Sequence, residues 1–229
     1  MVELAPGLFA VQLVSSRGFL VTEPEGLTLI DAGLPGSRRP LERYLARLGR
    51  SMSELRRIIC THGHPDHIGG VREMTADTNA EVLLHPADIA GLKVTLREAW
   101  DARDRGKLIA WFTRGPHAAN PIDEGDVLPV LGGLRVIHTP GHTPGSVCFY
   151  AAKHRILFTG DVLQVIKGRV TFAHRYFSSD FAMACESVER LTRFDVRTIA
   201  FSHYPAWTDD ANGVLAGLAR RARQKPSRP

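Results

Sequence analysis

Short apolar runs separated by turn residues dominate the first sixty positions. Leu8 to Val14 reads as a strand. Gly18 to Thr22 and Leu27 to Ile30 read as a strand pair, joined by Glu23-Pro24-Glu25-Gly26, where Pro and Gly suit a turn. Asp31-Ala32-Gly33 ends the second of these strands. Leu41, Tyr44, Leu45 and Leu48 then recur at spacings of three and four, which predicts an amphipathic helix over 38–49. Leu55 to Cys60 is another apolar strand, and it runs straight into Thr61-His62-Gly63-His64-Pro65-Asp66-His67. A helix is expected from about Ile68 to Thr75, with a further strand from Glu81 to Leu84.

Residues 87–120 have a different texture. They are helix-rich in composition, carry Trp100, Trp111 and Phe112, and end near Gly115-Pro116. They are read as a helical insertion over one face that shapes a substrate pocket. The strand pattern resumes at Leu134 to His138, Val147 to Tyr150, Ile156 to Thr159 and Thr198 to Phe201, with a helix over 181–194. Two similar halves that mix strands and helices predict one domain over 1–229, built of two packed sheets with helices outside.

Composition narrows the class. The 229 residues are 44% hydrophobic and 23% charged, ordinary values for a globular chain. The longest apolar runs, such as Gly7 to Val14, fall far short of the roughly 20 residues of a membrane span. No positively charged flank precedes an apolar stretch at Met1-Val2-Glu3-Leu4, so a cytoplasmic location is expected. Cys60, Cys148 and Cys185 are distant and odd in number, which predicts reduced, buried thiols. Net charge is +5, but Arg220, Arg221, Arg223, Lys225 and Arg228 all lie in 219–229. Without that stretch, read as a frayed basic tail, basic and acidic residues balance at 24 each. A neutral body argues against a nucleic-acid partner, and no membrane partner is expected. Oligomeric state leaves no mark in the sequence.

Chemistry concentrates in His62-x-His64-x-Asp66-His67. Three of the ten histidines fall within six positions beside a carboxylate. The cluster is expected on a tight strand-to-helix loop. His62 and His64, two apart, can point the same way, whereas adjacent Asp66 and His67 diverge, so one loop can feed two neighbouring metal sites. Imidazole and carboxylate suit zinc, iron or manganese. Two metals need more ligands, and three strand ends offer them. His142 stands in Thr139-Pro140-Gly141-His142-Thr143-Pro144-Gly145-Ser146, Asp161 in Thr159-Gly160-Asp161, and His203 in Phe201-Ser202-His203. Thr61, Thr139, Thr143 and Ser202 are placed to fix the imidazoles. His138 reads as structural, His85 as lying near the site, and His117, His154 and His174 as structural or surface residues. Trp100, Trp111 and Phe112 read as core or substrate contacts, and Cys60 as a core thiol.

This set of motifs resembles the metallo-β-lactamase fold superfamily of metallohydrolases, most closely its glyoxalase II-like branch, over nearly the whole chain. The resemblance implies an α+β fold, a four-layer αββα sandwich of two pseudo-repeated halves with a metal site at its edge. It further implies two divalent metal ions, zinc first, with iron or manganese as alternatives. His62, His64 and His142 would hold one, Asp66, His67 and His203 the other, and Asp161 would bridge them. The reaction implied is attack by a metal-bound hydroxide on a small-molecule substrate, a small ester, lactone or thioester. Asp66 is the catalytic residue, placed to orient the hydroxide, and either water or Asp66 protonates the leaving group.

Departures from named relatives sharpen this expectation. Metallo-β-lactamases proper do not usually carry Asp at the bridging position, and the cysteine or serine typical of them is absent there. Flavodiiron proteins carry Glu where this chain has Gly63. Only 26 residues follow His203, so the glutathione-binding helical domain of glyoxalase II is not expected. Nor is the extension with which ribonuclease Z enzymes grip transfer RNA precursors evident. The alternatives are a mononuclear iron oxygenase of the persulfide dioxygenase type, a phosphodiesterase or nuclease, and a metal-binding protein with little catalysis.

Overall fold

Four strands open the chain as an antiparallel meander: β1 (Val2–Ala5), β2 (Leu8–Gln12), β3 (Arg17–Glu23) and β4 (Gly26–Ile30). Glu23 pairs with Gly26, so Pro24-Glu25 forms the two-residue turn that the sequence signals. The computed structural model describes residues 1–92, 116 and 118–224. These fall into two compact units, Met1–Pro121 and Ile122–Pro229.

In the first unit the sheet continues in parallel through β5 (Leu55–Ile59), β6 (Glu81–Leu84) and β7 (Asn120–Pro121), giving the order β1-β2-β3-β4-β5-β6-β7. Parallel neighbours require a crossover. The one from β4 to β5 carries α1 (Arg38–Arg47), and the one from β5 to β6 carries α2 (Pro65–Ile68) and α3 (Val71–Thr75). After β6 comes α4 (Pro86–Gly91). The apolar stripe of α1 is used as its spacing predicts: Leu41 and Leu45 are fully buried against Leu27, Leu29 and Ile58, beside Val71 and Met74. Each such leucine contributes about 1.5–3 kcal/mol by leaving water.

The second unit holds β8 (Val127–Leu128), β9 (Leu134–His138), β10 (Val147–Ala151), β11 (Ile156–Phe158) and β14 (Thr198–Ala200), ordered β14-β11-β10-β9-β8. Only β11 and β14 run parallel. All five residues of β10, Val-Cys-Phe-Tyr-Ala, are buried, the mark of a central strand covered on both faces. A separate hairpin pairs β12 (Leu163–Ile166) with β13 (Arg169–Phe172). Helices α5 (Phe181–Leu191) and α6 (Ala211–Gln224) bury Cys185, Val188, Leu191, Leu215 and Leu218 in one cluster with Leu157, Ile199 and Phe201.

Several expectations change. The single helix expected from Ile68 to Thr75 is two: α2 begins already at Pro65, because proline at the first helical position surrenders an N–H that has no partner there anyway, and α3 follows after Gly69-Gly70. Asp66 and His67 therefore sit in a helical first turn rather than in a loop. Residues 219–224 are not frayed: they end α6, with Ala219 buried, Arg223 paired with Glu189 and Arg221 over the Phe172 ring. Of the insertion expected at 87–120, the described residues are 87–92, 116 and 118–120, which take in most of α4 and the start of β7. Trp100, Trp111, Phe112 and His117 lie outside the described residues, as do Lys225 and Arg228. The β12–β13 hairpin, β1 and α6 had no counterpart in the sequence reading. All three cysteines are buried free thiols, as expected. Among the described residues no helix is long and apolar enough to cross a membrane.

Candidate metal centre

Parallel pairing sets the first half of the site. Ile30 of β4 stands beside Ile59 of β5, and Ile59 beside Leu83 of β6, so their carboxyl ends open at one edge. Asp31, the His62 to His67 box and His85 follow within a few residues. His64 caps α2 with an extended backbone, and its carbonyl accepts from the amides of His67 (3.0 Å) and Ile68 (3.1 Å). Ser16 Oγ donates to the Asp66 carbonyl at 2.6 Å and ties this turn to the end of the meander. The ring centroids of His62 and His64 lie 4.8 Å apart, and those of His62 and His67 4.0 Å apart.

Asp31 organises this half from beneath. It is fully buried and holds a left-handed backbone, φ 59°, which Asp tolerates better than most residues. Its carboxylate accepts from the Thr61 amide (2.8 Å) and from Thr61 Oγ1 (2.9 Å), and lies 2.8 Å from His67 Nδ1. Thr61 Oγ1 is also 3.1 Å from His62 Nδ1. With their Nδ1 atoms engaged, both rings present Nε2 as the ligand nitrogen, and His67 Nε2 lies 3.8 Å from Asp66 Oδ2. A buried carboxylate behind a histidine fixes the tautomer and raises the donor strength of the other nitrogen. Burial, with the Asp31 charge adding to it, pushes the neighbouring Cys60 thiol well above its ordinary value.

The second unit gathers its ligands differently. Phe158 of β11 stands beside Ala200 of β14 in parallel register. Asp161 and His203 each follow three residues later, and Asp161 Oδ1 lies 3.2 Å from His203 Nε2. The other oxygen, Oδ2, lies 3.6 Å from His142 Nε2. His142 comes from the β9–β10 loop, which Thr139 and Ser146 close by a backbone bond of 2.8 Å and Thr143 tightens onto Ser146 Oγ. Gly141 has φ +127°, and a Cβ there would strike the Ala184 backbone, so glycine alone lets the loop lie against α5. The His142 carbonyl accepts from the Ser179 amide at 3.0 Å, and Ser178 Oγ lies 3.5 Å from His142 Nδ1.

The seven candidate ligands thus lie in loops past strand ends or, for Asp66 and His67, in the first turn of α2. His62 with His64, Asp66 with His67, and Asp161 with His203 each offer atoms within 4.8 Å of one another. Imidazole Nε2 and carboxylate oxygen are donors that divalent zinc, iron and manganese all accept, so the residues fit such ions. Sequence reasoning singled out Thr61 but missed Asp31, Ser16 and Ser178. Only Asp31 left a signal, as an acid closing an apolar strand. The bystander histidines have structural places: His85 caps α4, accepting from Ala87 N, His138 Nε2 lies 3.0 Å from the Pro144 carbonyl, and His174 packs on Phe177.

Residues 13–203 match the metallo-beta-lactamase superfamily. The chain belongs to this superfamily. It is 28% identical over 226 residues to the probable metallo-hydrolase YflN of Bacillus subtilis (strain 168), covering 88% of this chain and 84% of that one. A hydroxyacylglutathione hydrolase of Rhodopseudomonas palustris (strain HaA2) is 30% identical over 183 residues, 78% of this chain and 58% of its own length. Among solved structures, the metallo-beta-lactamase family protein TTHA1429 of Thermus thermophilus superposes with a TM-score of 0.77 at 24% identity, over 96% of this chain and 81% of that one. TTHA1623, solved in a di-iron-bound form, reaches a TM-score of 0.66 at 27% identity, over 94% and 97%. The α+β metallo-β-lactamase fold expected from the motifs is therefore this chain's fold, and metallo-hydrolase is its functional class. Histidine and aspartate groups able to hold metal are part of that assignment.

Proposed function

We propose that the chain is a dinuclear metallohydrolase that cleaves a small ester, lactone or thioester in the cytoplasm. His62, His64 and His142 would hold one divalent ion, and Asp66, His67 and His203 the other, with Asp161 placed to serve both. Zinc is the first candidate, with iron and manganese as alternatives. The observation that carries this reading is the placement of Asp161: one carboxylate oxygen lies beside His142 Nε2 and the other beside His203 Nε2. A carboxylate so placed can serve two ions at once. Its hydroxyacylglutathione hydrolase relative acts, by its name, on an acyl-glutathione, which supports the thioester among the three substrate types.

Divalent ions bound there would supply Lewis acidity and bring the pKa of water down toward neutrality. The chain's own residues do the rest. Asp31 and Thr61 hold His67 and His62 in the tautomer that presents Nε2. Asp66, in the first turn of α2, orients the attacking water and carries the proton to the leaving group.

The decisive experiment combines metal analysis of protein purified without chelator with rates on lactones, thioesters, activated esters and phosphodiesters. About two metal ions per chain and hydrolysis of a carboxylic substrate without oxygen uptake are expected. One iron per chain, with oxygen consumed on a glutathione persulfide, would overturn the reading in favour of an oxygenase. Turnover confined to phosphodiesters would move the assignment to a nuclease.

A further inference from the structure

Gly63, between two of the proposed ligands, is held from outside the box. Its amide donates to Asp88 Oδ2 at 2.7 Å. Asp88 is 5% exposed and belongs to α4, reached only after β6, 25 residues along the chain. The same helix is fixed at its start by His85, whose Nδ1 accepts from the Ala87 amide. The backbone at Gly63 also comes very close to this side chain. A Cβ added there would lie 3.2 Å from Asp88 Cβ and 3.4 Å from its Oδ2.

We propose that Asp88 is a positioning residue for the metal centre: it anchors the peptide between His62 and His64 so that both imidazoles are presented together. The inference rests on the hydrolase reading above and adds to it a residue that none of the ligand motifs contains. His62 and His64 are flanking residues, so rotating the peptides on either side of Gly63 swings both rings. A charge-assisted bond from a buried carboxylate is about twice as strong as a neutral one and resists that rotation. Asp31 cannot do this work, because its bonds reach Thr61 and His67, on either side of the His62 to His64 stretch. A side chain at position 63 would press on Asp88 and push it back by a few tenths of an ångström.

The test compares Asp88→Ala, Asp88→Asn and Gly63→Ala with wild type in two measurements. The first is hydrogen exchange of the Gly63 amide in metal-free protein. Asp88→Ala should expose this amide by at least tenfold, whereas Asp88→Asn, which keeps an acceptor oxygen, should retain most of the protection. The second is zinc affinity by chelator competition. Asp88→Ala should weaken the tighter site by about 10–100-fold, the loss typical of an outer partner. Asp88→Asn should stay within about tenfold of wild type, and Gly63→Ala should weaken binding less than Asp88→Ala, because its methyl presses on Asp88 without removing the acceptor. A wild-type chain that binds zinc, with Asp88→Ala equal to it in both measurements, overturns the role of Asp88. A wild-type chain that binds none of zinc, iron and manganese overturns the hydrolase reading itself, and the positioning role with it. Weakened folding of metal-free Asp88→Ala, with zinc affinity per folded molecule unchanged, reduces Asp88 to a structural contact and also overturns the proposal.

Discussion

The two units build their ligand sets from opposite materials. In the first, four candidate ligands lie within six residues, His62 to His67, on the bend after β5 and the turn that His64 caps. In the second, His142, Asp161 and His203 span more than sixty residues and come from three separate connections. Yet both units use the same physical device. Parallel strands end together, so whatever follows them shares one edge: Asp31 and the box after β4 and β5, Asp161 and His203 after β11 and β14. The difference is instructive about robustness. The contiguous box depends on its outer supports, Asp31 and Asp88, to aim side chains that neighbour one another. The dispersed set depends on strand register, and Asp161 alone lies beside both of its partners.

That comparison can be broken most forcefully at Asp161. Asp161→Ala should leave secondary structure intact, remove at least one metal ion per chain, and lower turnover by more than the roughly 100-fold typical of losing an outer partner. Elemental analysis alongside circular dichroism and kinetics checks this. A variant that keeps two ions and near-normal turnover would remove the bridging role.

A smaller loss is expected at Asp31, which supports the contiguous half. Asp31→Asn keeps the shape but replaces one acceptor oxygen by a donor, in conflict with the Thr61 and His67 donors. Metal affinity should fall about 10–100-fold. Ring-nitrogen NMR of the metal-free protein should report a changed His67 tautomer. An unchanged tautomer with unchanged affinity would mean that the turn alone aims the rings.

The smallest effect concerns the thiols beneath the two sheets. Burial pushes Cys148 up to about 12 from 9.0, and raises Cys60 as well. Raised folded values favour the neutral thiol, so their stabilising contribution is complete below pH 9 and is lost as pH rises toward 12. Native protein at pH 8 should therefore resist alkylation at all three cysteines, while unfolded protein reacts at each. Rapid labelling of Cys60 or Cys148 in the folded state would show that one sheet opens on its own.

Much of this protein was written locally. The strand runs, the α1 stripe of Leu41 and Leu45, and the box itself follow from periodicity and from residue type, because those signals act over a few positions. The seven candidate ligands could be named from motifs at strand ends for the same reason. Tertiary structure decided the rest. Helix α2 starts at Pro65 rather than Ile68 because a cap at His64 completes it, and α6 absorbs Arg220, Arg221 and Arg223 because Leu215 and Leu218 find a core to enter. Asp31 and Asp88 were ordinary acids in the sequence. They acquired their places only when parallel pairing brought the ends of β4, β5 and β6 to one edge, since a hydrogen bond across 25 or 36 residues has no local signature.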